Sequence, residues 1–192
     1  SDVCSSDLTA PDDRIAIENG PIVIRGTTDA PRVSVRAVWL GAPGGGEGGL
    51  EPDVLPEPFE LPANAGSFRA GILVPTGRWK LTIATGPMGA LAGALLERTI
   101  DVRQSGVVVG VSASDGEPTI AAWSDGEIAQ AARTLRAGET VFFAGRRTVY
   151  VKTSDGSVTS LNVNGEAYGR MGTTTEPIGL MMEKGKLPRA IE

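Results

Sequence analysis

The stretch Arg133-Thr134-Leu135-Arg136-Ala137-Gly138-Glu139-Thr140, followed later by Leu161-Asn162-Val163-Asn164-Gly165, carries the strongest indication of the fold. In the first stretch a basic and apolar lead-in turns at Ala-Gly-Glu into an apolar strand. In the second, an alternating strand turns at Asn-Gly, a pair that suits a type I′ hairpin because both central residues need positive φ. Together the two stretches predict short strands joined by tight turns.

The rest of the C-terminal half continues this pattern. Apolar side chains alternate with others along residues 107–113, which predicts a half-buried strand. Turns are expected at Ser124-Asp125-Gly126, at Ala144-Gly145 and at Asp155-Gly156, the last of type I′. Residues 128–132 fit either a strand or one helical turn, and the pattern does not decide between them. The other strands of this half are predicted at residues 119–123, 141–143, 148–152 and 158–163.

The N-terminal half contains its own series of alternating strands. Val33, Val35, Ala37 and Trp39 alternate with other residues along one of them, and Trp79, Leu81 and Ile83 repeat the pattern after the turn Pro75-Thr76-Gly77. Several short strands at this spacing indicate a β-sandwich. The strands are predicted at residues 22–28, 33–39, 68–74, 79–83 and 98–102.

The order of motifs in this half resembles that of bacterial immunoglobulin-like domains. The matching motifs are Gly26-Thr27, Val33-Ser34-Val35, Gly66-Ser67-Phe68, the hairpin 73–83 and Arg98-Thr99-Ile100-Asp101-Val102. Domains of this kind serve as spacers, adhesin repeats and appendages of glycosidases, so the resemblance implies a fold rather than a function. The predicted class is all-β, with two tandem β-sandwich-like (immunoglobulin-like) domains.

Composition narrows the range of functions. The chain has 192 residues, 26 of them Gly and 13 Pro, and a net charge of −5. The acidic balance makes nucleic acid an unexpected partner, since nucleic-acid-binding domains usually carry a basic patch. No run of about 18 apolar residues is present, so no segment of this chain is predicted to span a membrane.

Histidine is absent and Cys4 is the single cysteine. The commonest general base and the commonest transition-metal ligand are therefore missing. Ser112, Ser114 and Ser124 have no histidine to activate them, which excludes a Ser-His-Asp site. We predict no catalytic, cofactor or metal site, and a protein that is not an enzyme.

Four aromatic residues are the candidates for a binding site. Trp39, Trp79 and Trp123 lie on apolar faces at period two, which predicts core positions. Trp123 also precedes a turn, where an exposed tryptophan could stack on a sugar ring. Tyr150 is out of phase with its neighbours in the strand 148–152 and is expected to face solvent or the other domain.

The loops offer no built site. The glycine-rich residues 41–50 predict a flexible acidic surface loop, because a phosphate-binding loop needs a helix N-terminus and usually a lysine. The apolar residues 86–96 could form a short helix or an apolar loop tip. The carboxylates Asp12-Asp13 and Glu57 with Glu60 lie in predicted loops, whereas a glycosidase holds two carboxylates on rigid elements about 5–10 Å apart.

Residues 107–172 resemble the extracytoplasmic C-terminal domain of bacterial RodZ-like cell-shape proteins. The matching motifs occur in the same order, with one departure at Thr153-Ser154-Asp155-Gly156-Ser157, where the family often has Gly-Asn-Ala. The motifs are Trp123, Ser124-Asp125-Gly126, Leu135-Arg136-Ala137-Gly138-Glu139, Val158-Thr159-Ser160-Leu161-Asn162-Val163-Asn164-Gly165 and Met171-Gly172. The family's cytoplasmic helix-turn-helix and its membrane helix have no counterpart in this chain.

The resemblance implies a non-enzymatic, extracytoplasmic part of a membrane-anchored cell-shape protein. Its expected partners are envelope or wall-synthesis proteins, and its membrane tether is expected upstream. The alternative is a carbohydrate- or wall-binding accessory module. The predicted organisation is a disordered tail or sequence artefact over 1–14, a bacterial immunoglobulin-like domain over 15–103, a RodZ-like C-terminal β domain over 105–175 and a C-terminal tail over 176–192. The first eight residues also resemble a translated adapter sequence.

Overall fold

The computed structural model describes residues 6–46, 49–85 and 95–191. These residues form two compact units, the first within 6–17 and 21–103 and the second made of 18–20 and 104–191. The described residues contain strands, one 3₁₀ turn at Pro43–Gly45 and no α-helix. The predicted all-β, sandwich-type class is therefore confirmed.

The first unit has one three-stranded and one five-stranded sheet. In sequence order its strands are β1 Ser6–Ala10, β2 Ala16–Glu18, β3 Ile22–Thr28, β4 Arg32–Gly41, β5 Phe59–Pro62, β6 Ser67–Ile72, β7 Gly77–Thr85 and β8 Leu95–Arg103. The smaller sheet has the order β1-β3-β6 and the larger one β2-β8-β7-β4-β5. The pairings of β1 with β3, β3 with β6, β4 with β5 and β7, and β7 with β8 are antiparallel.

Strand β7 shows how the alternation becomes a core. Its odd-numbered residues are buried and its even-numbered residues are half-buried. Trp79 has no exposed surface, and its indole N–H donates to the carbonyl of Pro75 at 2.9 Å. A Cβ at Gly77 would lie 2.7 Å from Nε1 of Trp39, so glycine is needed where the two tryptophans meet. The core position of Trp79 is confirmed, while Trp39 lies half-buried against the same core.

The expected N-terminal tail over 1–14 is wrong for the residues that the structure describes. Residues 6–10 form β1, which pairs with β3, and Leu8 is buried in the core of the first unit. Asp13 accepts a hydrogen bond from the N–H of Thr99 at 2.8 Å. The prediction failed because this stretch is mostly polar, and because the strand that pairs with it follows about twenty residues later in the chain.

The second unit has one five-stranded and one four-stranded sheet. Its strands are β9 Val107–Ala113, β10 Thr119–Ser124, β11 Glu127–Thr134, β12 Thr140–Gly145, β13 Thr148–Thr153, β14 Thr159–Val163, β15 Glu166–Arg170, β16 Ile178–Glu183 and β17 Arg189–Ala190. The sheets have the orders β11-β10-β13-β16-β17 and β12-β9-β14-β15, and all these pairings are antiparallel. The segment 128–132, left open by the pattern, is part of a strand.

The core of this unit draws on both sheets. It contains Val107, Val109, Val111, Ala113, Ile120, Ala122, Leu135, Phe143, Val149, Val151, Leu161, Met171, Leu180 and Met182. Leu135 has no exposed surface, and the turn after it closes where Glu139 N–H donates to the carbonyl of Arg136 at 2.9 Å. The prediction that Ala-Gly-Glu turns the chain into a strand is confirmed, because β12 begins at Thr140.

The predicted turns at Ser124-Asp125-Gly126 and Asn164-Gly165 are confirmed, whereas the type predicted at Asp155-Gly156 and the position predicted at Ala144-Gly145 are wrong. Asn164 and Gly165 have φ of 52° and 91°, as a type I′ turn requires. Neither Asp155 nor Gly156 has positive φ; a Cβ at Gly156 would lie 3.0 Å from Gly172, so this glycine serves close packing. The predicted turn at Ala144-Gly145 is also wrong, because these residues end β12 and the chain bends after them.

The expected C-terminal tail over 176–192 is wrong. Strand β16 lies between β13 and β17 in the larger sheet, and Leu180 and Met182 are buried in the core. Leucine and methionine side chains of this kind contribute a few kcal/mol each when buried. The second unit therefore needs these residues for its core.

No helix among the described residues is long and apolar enough to cross a membrane.

Candidate binding surface on the second unit

Three neighbouring strands of the larger sheet divide their side chains between core and outer surface. Val149 and Val151 of β13 have no exposed surface, while Tyr150 between them is half-buried. The register places Trp123 of β10 opposite Tyr150, and Tyr150 opposite Met181 of β16. Because side chains alternate along strands, these three form a row on the outer face of the sheet.

The expectation that Tyr150 lies out of phase with the core is confirmed, and the prediction that Trp123 is a core residue is wrong. Both faces of β10 are apolar: Ala121 and Trp123 lie on one face, and Ile120 and Ala122 lie on the other. The alternation alone therefore did not identify the buried face. Ile120 and Ala122 belong to the core, and Trp123 does not.

Trp123 and Tyr150 are in ring contact. Their ring centroids lie 5.2 Å apart with a tilt of 40° between the planes, within the range that favours aromatic pairs. The Tyr150 ring also covers Gly179, where an added Cβ would overlap the phenol. Glycine at 179 thus lets Tyr150 lie flat along the sheet.

A pocket of about 310 Å³ lies at this row, and we call it the aromatic pocket. Its lining residues are Trp123, Gly126, Thr148, Tyr150, Met181 and Ile191. Apart from the Thr148 hydroxyl, the Tyr150 phenol and the indole N–H, these side chains are hydrocarbon or thioether. The pocket is therefore suited to an apolar group.

A second pocket, of about 450 Å³, shares Thr148 with the first, and we call it the basic cleft. Its lining residues are Asp125, Arg146, Arg147, Thr148, Glu183, Lys184 and Lys186. The cleft holds four cations against two carboxylates, in a chain whose net charge is −5. Positive charge is thus concentrated next to the aromatic pocket.

Asp125 organises the loop that carries two of these cations. Its carboxylate accepts hydrogen bonds from the backbone N–H groups of Arg146, Arg147 and Thr148 at 2.7, 2.8 and 3.0 Å. These bonds, the one from Arg146 foremost, lower the pKa of Asp125. The carboxylate is occupied by backbone donors, and the exposed Arg146 and Arg147 side chains form no ion pair with any described residue.

The other side of the cleft is partly neutralised. Glu183 accepts a hydrogen bond from Lys186 at 3.0 Å and lies 3.7 Å from Arg189. The bond from Lys186 is the main cause that lowers the pKa of Glu183. Lys184 donates to the carbonyl of Ser105 at 2.6 Å, a neutral acceptor, so its charge remains unbalanced.

Strand β11 is an edge of the larger sheet and is exposed along almost its full length. Ile128 is 71% exposed and lies opposite Trp123 in the register. Two register irregularities in its pairing with β10 interrupt the flat edge, a feature that limits unspecific strand pairing. The apolar surface beside the aromatic pocket thus extends to the sheet edge.

The serine candidates are not brought together. Ser112 bonds to Thr140 at 2.8 Å, Ser114 lies 3.4 Å from the hydroxyl of Ser160, and the Ser124 hydroxyl is buried without a partner in the described part of the chain.

The carboxylate candidates are also separate. Asp12 and Glu57 are exposed, Asp13 binds a backbone N–H of β8, and Glu60 pairs with Arg32 at 3.3 Å. Within residues 6–46, 49–85 and 95–191, no group of three or more typical metal ligands occurs.

The structure describes only part of the glycine-rich loop 41–50 and of the apolar insert 86–96. Residues 43–45 of the glycine-rich loop form a 3₁₀ turn with no buried residue, and residues 47–48 lie outside the described residues. Most of the apolar insert, residues 86–94, also lies outside them, so its prediction as helix or apolar tip stays a prediction.

Sequence reasoning missed the basic cleft and the part that Met181 and Ile191 play in the aromatic pocket. The residues that line the cleft come from three turns far apart in the chain, and no local pattern connects them. The out-of-phase position of Tyr150 was the one local feature that indicated an outward apolar surface.

Comparison with protein-family models and with curated protein sequences finds no match to this chain.

Proposed function

We propose that this chain is a non-enzymatic binding module of the bacterial envelope that contacts other proteins through the aromatic pocket of its second unit. The observation that carries the proposal is the outward row of Trp123, Tyr150 and Met181. Aromatic residues and methionine are enriched at protein interfaces, and tryptophan and tyrosine often dominate binding energy there.

The envelope setting rests on the resemblance of residues 107–172 to the RodZ-like extracytoplasmic domain. In that setting the module lies outside the cytoplasmic membrane and is tethered by a segment upstream. Its partners are other envelope proteins or wall-synthesis proteins. It supplies a contact surface and no chemistry of its own.

Carbohydrate binding is the second candidate, because the Trp123–Tyr150 pair could stack on a sugar ring. The pocket favours a protein side chain over a sugar. Its lining offers few polar groups, and a buried sugar hydroxyl without a partner loses about 1–3 kcal/mol. The exposed apolar edge at Ile128 also favours protein contact.

Selection of a random peptide library on the immobilised full chain tests this proposal. Enriched peptides should bind the natural protein and lose binding to a Trp123→Ala/Tyr150→Ala variant. Tyr168→Ala is the matched control, because Tyr168 is 42% exposed but lies on the edge strand of the other sheet. The control should bind as the natural protein does.

Binding to insoluble peptidoglycan and wall polysaccharide is measured in parallel. Glycan binding that Trp123→Ala abolishes, with the melting temperature nearly unchanged, would overturn the protein-contact proposal in favour of the carbohydrate function. Failure of the library to yield any peptide that depends on Trp123 and Tyr150 would also overturn it.

A further inference from the structure

We infer that the aromatic pocket and basic cleft of one copy bind residues 50–57 of a second copy of this chain. The inference rests on the proposed function, because it names the protein that the pocket contacts. It starts from an exposed segment of the first unit whose chemistry complements the two pockets.

The segment combines apolar and acidic side chains that the fold leaves in solvent. Leu50 is 93%, Val54 66% and Leu55 43% exposed. Between and beside them lie the exposed carboxylates Glu51, Asp53 and Glu57, none of which pairs with a described residue. We call residues 50–57 the acidic segment.

The prolines of the acidic segment restrict its backbone. Pro52 and Pro56 have fixed φ and disfavour helical conformation in the residues that precede them. The segment therefore loses less conformational freedom on binding than a glycine-rich loop would. Burial of its three exposed apolar side chains in a partner would remove their apolar surface from water.

We call the aromatic pocket and the basic cleft together the receptor. Like the acidic segment, the receptor combines apolar and charged side chains, but its charge is positive. The aromatic pocket accepts an aliphatic side chain, and the basic cleft adjoins it at Thr148. Arg146 and Arg147 form no ion pair with a described carboxylate, although the charge of Arg147 acts on Asp125 from nearby. A ligand that carries a carboxylate two or three residues from a leucine or valine matches this layout, since an extended chain advances about 3.3 Å per residue.

Charge complementarity favours the acidic segment over other surfaces of a second copy. The whole chain has a net charge of −5, so copies repel one another unless an acidic part meets a basic one. The segment carries three acids and no base within 50–57. The acidic segment and the basic cleft would therefore attract each other locally, while the net charges of the two copies repel weakly.

The geometry of such an assembly follows from the fact that the two surfaces differ. The acidic segment belongs to the first unit and the two pockets to the second. A contact between unlike surfaces is heterologous, and it forms open chains unless the rotation closes a ring. The inference therefore predicts head-to-tail association rather than a symmetric dimer.

Sedimentation velocity of the full chain, from micromolar to millimolar concentration, provides the test. The natural protein should show sedimentation coefficients that rise with concentration and exceed that of a dimer. Arg146→Glu/Arg147→Glu, which alters the receptor, and Asp53→Lys/Glu57→Lys, which alters the segment, should each weaken association about tenfold or more. Raised salt should weaken association of the natural protein.

A mixture of the two variants gives the sharpest outcome. One variant keeps an intact segment and the other an intact receptor, and the two reversed surfaces also carry opposite charges. The mixture should therefore regain head-to-tail association that neither variant shows alone. Arg25→Glu/Arg69→Glu is the matched control, because these exposed arginines pair across β3 and β6 of the first unit and belong neither to the acidic segment nor to the lining of the two pockets. This control should associate as the natural protein does.

A synthetic peptide of residues 49–59 should dissociate the natural assembly, and a scrambled peptide should not. A natural protein that stays monomeric throughout, or a receptor variant that associates unchanged, would overturn the inference. If library peptides still bind through Trp123 and Tyr150 in that case, the proposed function stands and only the second copy as partner is wrong. If both experiments fail, the proposed function fails with it.

Discussion

Replacing Trp123 by alanine should cost far less stability than replacing a core residue of the same sheet. Trp123 faces outward and is half-buried, and it loses mainly its contact with Tyr150. An aromatic pair contributes about 0.5–1.5 kcal/mol, and the remaining partial burial brings the expected loss to roughly 1–2 kcal/mol. Met182→Ala is the reference, because Met182 has no exposed surface and such truncations cost about 2–5 kcal/mol.

Met181→Ala and Met182→Ala form a matched pair within one strand. The two residues are neighbours in β16, but Met181 lines the aromatic pocket and Met182 belongs to the core. Met181→Ala should therefore lower stability by less than Met182→Ala. The pair removes the same side chain, so the difference between them reports the face of the sheet alone.

Urea unfolding followed by circular dichroism measures these losses, and hydrogen exchange of fragments from residues 107–191 assigns the transition to the second unit. The slope against urea should stay unchanged, so that the midpoint reports stability. A loss for Trp123→Ala as large as that for Met182→Ala would refute the reasoning. Trp123 would then be a core residue, and the proposed binding surface would lose its main member.

Three further outcomes are expected. Gly165→Val should destabilise the second unit by about 1–3 kcal/mol, because valine disfavours the φ of 91°, while Gly165→Asn should cost less in the same urea titration. The pKa of Asp125 is lowered by backbone N–H donors, so its contribution is present above the unfolded pKa and is lost as pH falls through the folded value. Between roughly pH 5 and pH 2, the interval around the normal aspartate pKa of about 3.9, the melting temperature should therefore fall less steeply for Asp125→Asn than for the natural protein. Equal slopes would contradict this. Gly179→Ala should push the Tyr150 ring off the sheet and weaken peptide binding to the aromatic pocket, whereas unchanged binding would show that the ring position is unimportant.

The sequence alone determined the elements whose cause is local. Alternation at period two identified β3, β4, β7 and β9, because the pleat sends neighbouring side chains to opposite faces. Asn164-Gly165 identified its turn because positive φ at both residues is a property of that pair. The absence of histidine set the expectation of a binding module rather than an enzyme.

The tertiary structure decided which apolar face is buried and which residues meet. Both faces of β10 are apolar, so only the pairing of β10 with β13 and the packing of the two sheets placed Ile120 inside and Trp123 outside. A different pairing, that of β16 with β13 about thirty residues earlier, made the presumed tail a strand. The basic cleft likewise depends on turns separated by about twenty to forty residues, and local patterns carry no information about such long-range neighbours.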